Sequence, residues 1–103
     1  MAYEMLVGLD VVDEINYQKY RQLILPLALK YGGSILYDFK VSEVLKSHTK
    51  DKINRVFTIC FENEDKMNAF FLNPDYLIIK EKYFNNSVAS TTIISSYTKI
   101  TTT

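Results

Sequence analysis

The segment DEINYQKYRQLILPLALKYGG, residues 13–33, constrains the fold of this chain more than any other. Ile15, Tyr20, Leu23, Ile24, Leu27 and Tyr31 recur with the three-, four- and seven-residue spacings of one helical face. Asp13 precedes the run and carries a carboxylate suited to the free amides of a first helical turn. Pro26, deep in the pattern, removes one donor and is expected to kink the helix. Gly32 or Gly33 then supplies the left-handed residue that closes a helix without a Cβ penalty. A phosphate-binding glycine loop stands at the start of a helix, where amides point outward. This pair stands at the end of one, so it reports fold and not a site.

On either side the period changes. YEMLVGLDV (3–11) reads as a first strand and SILYDFKVSEVLK (34–46) as a second. SHTKDKIN (47–54) is polar and turn-like, and RVFTICFE (55–62) reads as a third strand. NEDKMNAFFL (63–72) predicts a short helix capped by Asn63. NPDYLIIKEKYF (73–84) predicts another, with Asn73 as cap and Pro74 at its first position. NNSVAS forms a turn, STTIISSYT (90–98) a fourth strand, and KITTT a frayed end. The order β-α-β-β-α-β predicts an α+β, ferredoxin-like domain spanning residues 1–103, with a four-stranded antiparallel sheet and helices on one face.

The other face then needs a cover. Phe57, Ile59 and Phe61 alternate with Val56, Thr58, Cys60 and Glu62, and the large set is expected against the helices. In strand one, Met5, Val7 and Leu9 oppose Glu4, Leu6, Gly8 and Asp10. Strict alternation in strand four sets Ile94 and Ser96 against Ile93, Ser95 and Tyr97. The second set is small and mixed where a water-facing strand would be cleanly polar. A second copy of the chain, sheet against sheet in a two-fold homodimer, is the economical cover. The competing explanation is that β-propensity alone accounts for the valine and threonine.

The succession Asp13-x-x-x-Tyr17-x-x-Tyr20, Pro26, YGGSIL (31–36), RVFTICFENED (55–65) and NPDY (73–76) resembles the domain-of-unknown-function 1330 family of the dimeric α/β-barrel superfamily, over residues 3 to about 97. The resemblance implies the ferredoxin-like fold and a homodimeric α/β barrel, and it implies no established activity. Members commonly carry arginine after the glycine pair, where this chain has Ser34. An acidic residue and glycine often close the second strand, where Lys46 and Ser47 stand here, and an arginine often ends the segment after the NPDY-like motif, where Lys82 and Tyr83 stand. The wider superfamily includes cofactor-free monooxygenases, haem-degrading enzymes and lactone isomerases; such likeness is of fold and not of chemistry.

Charge narrows the function classes. Twelve basic and twelve acidic residues cancel, which argues against a dedicated nucleic-acid binder. RVFTICFE also lacks the glycine-aromatic core of an RNA-binding sheet. The opening residues lack a basic region and a long apolar core, so no signal peptide is expected, and no apolar run is long enough to span a membrane. A single cysteine allows no internal disulfide, and a cytoplasmic setting is expected.

Candidate chemistry is sparse. His48, the only histidine, falls in the hairpin between strands two and three and is expected as a solvated loop residue. Cys60 lies mid-strand and is expected as a buried small hydrophobe. No metal site, phosphate loop, dinucleotide fingerprint or nucleophile elbow is present, and no cofactor is implied. Asp10 and Arg55 end and begin strands expected to be antiparallel neighbours, so they form either a surface ion pair or the charged rim of a pocket. Tyr37, Asp38 and Tyr97 offer polar tips on the sheet. Two readings follow. One is a homodimer binding a small organic molecule between sheet and helices, with Asp10, Tyr37, Arg55 and Tyr97 near the ligand, and open to acting as a cofactor-independent enzyme. The other is a non-catalytic homodimeric interaction or accessory module.

Overall fold

In the computed structural model, residues 1–100 are described. Strand β1 (Ala2–Val11) leads into helix α1 (Glu14–Leu29), strand β2 (Ser34–Lys40) and strand β3 (Arg55–Phe61). Helices α2 (Glu64–Leu72) and α3 (Pro74–Ile79) follow, then a π-helical turn (Lys80–Phe84) and strand β4 (Val88–Lys99). All strand pairs are antiparallel in the order β2-β3-β1-β4. This is the ferredoxin-like α+β arrangement, with the helices packed on one face. No helix among the described residues is long and apolar enough to cross a membrane.

The caps fall where their residue types place them. Asp13 accepts the Asn16 amide at 3.1 Å, Asn63 accepts the Lys66 amide at 2.8 Å, and Asn73 accepts the Asp75 amide at 2.8 Å. At the end of α1, Gly32 has φ +71°; its amide donates to Leu29 at 3.0 Å and the Gly33 amide donates to Ala28 at 2.8 Å. That pair of bonds is a Schellman closure, which answers the choice between the two glycines in favour of Gly32 as the left-handed residue. Helix α1 continues through Pro26 as one element, so the proline does not end it.

The buried stripe of α1 differs from the one expected. Tyr17, Tyr20, Arg21, Ile24, Leu27 and Ala28 are buried, whereas Ile15 and Leu23 are exposed. The apolar count of the segment exceeds what one helical face can hold, so packing against the sheet decides which residues enter. The stripe that enters includes an arginine.

Strand β2 ends at Lys40, not Lys46. Asn54 stops the hairpin there: its backbone oxygen accepts the Val41 amide at 2.9 Å, while its side chain bonds both the N–H and the C=O of Val11 at 2.8 Å. Residues 41–54 then form an irregular arch, which holds the exposed His48. Two further departures come from bulges. Leu6 pairs with Ser95 and Val7 with Ile93, so Ile94 is extra; Ile35 pairs with Ile59 and Tyr37 with Thr58, so Leu36 is extra. Each bulge shifts the alternation by one. Ile93 and Ser96 therefore share the helix-side face, Ser95 and Tyr97 the other, and strict alternation in strand four does not hold. The Tyr37 amide next to the second bulge is satisfied by the Thr58 hydroxyl at 3.1 Å.

Met5, Val7, Leu9, Phe57, Ile59 and Phe61 all face the helices, as expected from strands one and three. Above them Phe61, Phe70, Phe71 and Tyr76 form an aromatic cluster with ring centroids 4.7 to 6.1 Å apart. Among residues 99–103, expected as a frayed end, Lys99 belongs to β4, and 101–103 lie outside the described residues.

Candidate functional site

Between the helix-side face of the sheet and α1, α2, α3 and the π-helical turn lies a cavity of about 390 Å³. Its sheet wall is apolar but for Thr91, with Val7, Ile35 and Ile59 among its residues. Its polar groups are Tyr20 and Arg21 from α1, Tyr76 from α3, Lys80 from the π-helical turn and Thr91 from β4. Among the described residues no histidine, cysteine or carboxylate lines it. An apolar cavity with a few convergent polar groups is the ordinary form of a small-molecule site.

The geometry of these groups follows from local structure. Tyr76, Lys80 and Phe84 lie four residues apart in succession, so they share one side of the helical segment. The Asn85 amide donates to Lys80 at 3.0 Å, the i→i+5 bond of the π turn. Such a turn widens the helix by one residue and is frequent at functional sites. The Tyr20 and Tyr76 hydroxyls meet at 3.0 Å in the interior. Burial pushes both phenols above their ordinary value of 10.0, Tyr20 strongly, so both remain neutral hydroxyls near neutral pH.

Behind the cavity stands a charged cluster. Arg21, which is 7% exposed, donates from Nε to the Tyr17 hydroxyl at 3.2 Å and from Nη2 to Asp38 at 2.6 Å. Arg55 grips the same carboxylate with two bonds, 2.7 and 2.8 Å, and approaches Glu14 at 3.7 Å. The Arg21 guanidinium also lies over the rings of Tyr17 and Phe57, at 5.5 and 5.1 Å. The hydrogen bond from Arg55 holds the Asp38 carboxyl below its ordinary value, and the bond to Asp38 raises Arg55. Burial pushes the Tyr17 hydroxyl up to about 12.

None of Asp10, Tyr37, Arg55 and Tyr97 lines the cavity. Arg55 comes nearest in effect, because Asp38 links it to Arg21. The expected Asp10–Arg55 pair is corrected: Arg55 registers with Leu9, so Asp10, one residue on, points to the opposite face. Asp10 instead accepts a bond from Asn54 Nδ2 at 3.3 Å. Tyr37 and Tyr97 lie on the face away from the helices. There Tyr37 stacks on Phe39, and the Tyr97 hydroxyl donates to Glu4, which also meets Lys99 at 3.4 Å. The bond to Glu4 raises the Tyr97 hydroxyl. Glu4 is buried despite its place on this open face. Cys60, its neighbour in register, is half-buried rather than buried, and burial raises its thiol ahead of the effect of the Glu4 charge. The site groups that sequence reasoning missed are Tyr20, read only as a helix-face residue, Arg21, Tyr76 and Lys80. The readable signal was Arg21, a charge at helical spacing from Tyr17, Ile24 and Ala28.

The chain resembles solved structures at low sequence identity, a likeness of fold alone. A protein of unknown function from Rhodopseudomonas palustris superposes with TM-score 0.78 at 14% identity, covering 98% of this chain and 84% of that one. The cofactor-independent oxygenase SnoaB from Streptomyces nogalater gives 0.64 at 11%, covering 98% and 95%. A dimeric ferredoxin-like protein of unknown function from Thermobifida fusca gives 0.62 at 11%, covering 94% and 90%. No curated protein matches the chain. The model of a domain of unknown function, DUF1330, matches residues 2–97, and the chain belongs to that family.

Proposed function

We propose that this protein is a cytoplasmic, single-domain homodimer that holds a small organic molecule in the cavity between its sheet and its helices. The observation that carries the reading is the cavity itself, mainly apolar on the sheet side and lined by Tyr20, Arg21, Tyr76 and Lys80 on the other. The open sheet face supports the dimer. Tyr37 and Phe39 are 58% and 55% exposed there, and Glu4 on the same face is already met by Tyr97 and Lys99. Ile53 of the arch packs over Gly8 at one end of this face, and the exposed aromatics Tyr37 and Phe39 beside it are what a second copy would cover. The dimeric neighbour of the same fold supports it further. The half-exposed single cysteine, which has no disulfide partner, supports the cytoplasmic setting.

A non-catalytic accessory dimer is the competing reading. It is favoured by a cavity wall with no histidine, cysteine or carboxylate among the described residues to move a proton. SnoaB has this fold and is a cofactor-independent oxygenase, so turnover of the bound molecule is the outcome that would separate an enzyme from a binding module.

The test has two arms. Light scattering on the purified chain is expected to give twice 12.0 kDa. Phe39→Glu, which places a charge on the open face, is expected to shift that mass to the monomer with the fold intact. A wild-type monomer at micromolar concentration overturns the dimer. In the second arm, amide spectra are recorded against a library of small organic compounds. Shifts are expected to gather on cavity residues such as Val7, Ile24 and Ile59. Shifts scattered over the surface, or none, overturn the cavity as the binding site.

A further inference from the structure

We propose that the cavity selects a monoanion: an organic acid with a predominantly apolar body and one carboxylate-like head. This rests on the cavity being the ligand site and adds the chemical class of what it holds. Three observations converge. The first is a count of protons. Tyr20 and Tyr76 bond only to each other among the described residues, and one mutual bond uses one of their two hydroxyl protons. The second proton belongs to a buried hydroxyl on the cavity wall, and leaving it unpaired is costly. An acceptor oxygen on the molecule in the cavity pairs that proton in place of water.

The second observation is the balance of charge. Among the described residues two cations line the cavity, Arg21 and Lys80, and no carboxylate does. Arg21 and Arg55 share Asp38, at 2.6 and 2.7 Å, and Glu14 lies 3.7 Å from Arg55, so two cations face two carboxylates in that cluster. Lys80 is half-buried and takes no part in the ion pairs found among the described residues. One positive charge is left to the cavity, which suits one negative charge on the ligand. The third observation is placement. Lys80 follows Tyr76 by four residues, so ammonium and phenol project from one side of the same helical segment. A head group there accepts from both, and the body lies along Val7, Ile35 and Ile59.

Two matched probe sets test the class: 2-naphthoate, 2-naphthamide and (2-naphthyl)methylammonium, and decanoate, decanamide and decylammonium. Each is titrated into the full chain while amide shifts are followed. The carboxylates are expected to bind about tenfold more tightly than their amides, because hydrogen bonds to a charged group are the stronger ones. The ammonium compounds are expected to bind least. Lys80→Met keeps the stem and removes the charge, and is expected to bring carboxylate and amide to within about twofold of each other. Its unchanged spectrum away from the cavity reports that it folds. Equal binding of carboxylate and amide to the wild type, or a carboxylate preference that survives Lys80→Met, overturns the monoanion class and leaves the cavity as a ligand site. Failure of all six probes to shift the amides of Val7, Ile24 and Ile59 overturns both together.

Discussion

Asp38→Asn is expected to destabilise the fold by about 2 kcal/mol at neutral pH, because it strands the largely buried Arg21 and Arg55 guanidiniums, while the 30% exposure of the Asp38 side chain keeps the loss below that of a fully buried pair. The substitution changes almost no volume, so the loss reports charge and not packing. Asp38 is the single carboxylate between Arg21 and Arg55, whose side chains are 9% and 13% exposed. Without it two guanidiniums face each other, and only Glu14, at 3.7 Å from Arg55 and largely in solvent, remains to offset them. In a domain of this size that loss corresponds to a fall of roughly 10 °C in melting temperature. The pH dependence has a definite sign. The Asp38 carboxyl is held below its ordinary value of 3.8 in the folded chain, first by the hydrogen bond from Arg55. Its contribution is therefore complete above that ordinary value and is lost as pH falls through the lower folded-state value. The gap between wild type and Asp38→Asn is expected to be widest near pH 7 and to close in strong acid. Thermal melts of both proteins from pH 2 to 8 measure it; a gap that is flat across that range would remove electrostatics as the cause.

Gly33→Ala is the other change expected to have a large effect, about 3 kcal/mol or more, by overpacking. A Cβ at this position would stand 2.4 Å from Cε1 of Phe61. Phe61 is almost wholly buried and is held by Phe70 and Phe71 at centroid distances of 5.4 and 6.1 Å, so its ring has nowhere to turn. The neighbouring Gly32→Ala makes a useful contrast. There the obstacle is the Glu62 side chain at 2.9 Å, which can swing aside toward solvent, and the remaining penalty is the left-handed backbone at φ +71°, about 1 kcal/mol. Denaturant midpoints for the two variants are expected to rank Gly33→Ala well below Gly32→Ala. The reverse order would mean that backbone conformation, and not the aromatic core, governs this junction. The two glycines thus do different work: one turns the chain, the other lets β2 start against the core ring.

Much of this was present in the residues before any folding partner was considered. The element order, the Asp13, Asn63 and Asn73 caps, the glycine closure of α1 and the helix-side sets of β1 and β3 depend on interactions within a few residues of each other. Capping, turn conformation and two-residue alternation are properties of local backbone geometry, so a linear string carries them. What failed had non-local causes. Which face of α1 is buried depended on the sheet beneath it, and admitted Arg21 in place of Leu23 because Asp38 and two rings were there to receive a guanidinium. The bulges at Leu36 and Ile94 reversed faces through pairing with another strand. The end of β2 was set by Asn54 reaching to Val11. Asp10 and Arg55, neighbours at one end of the sheet as expected, were parted by a one-residue register that only pairing decides. The candidate site shows the same division most clearly. Tyr20, Arg21, Tyr76 and Lys80 come from segments more than fifty residues apart, and nothing short-range joins them. A cavity is the space that packed elements leave between them, and only the tertiary structure determines where that space lies and which side chains line it.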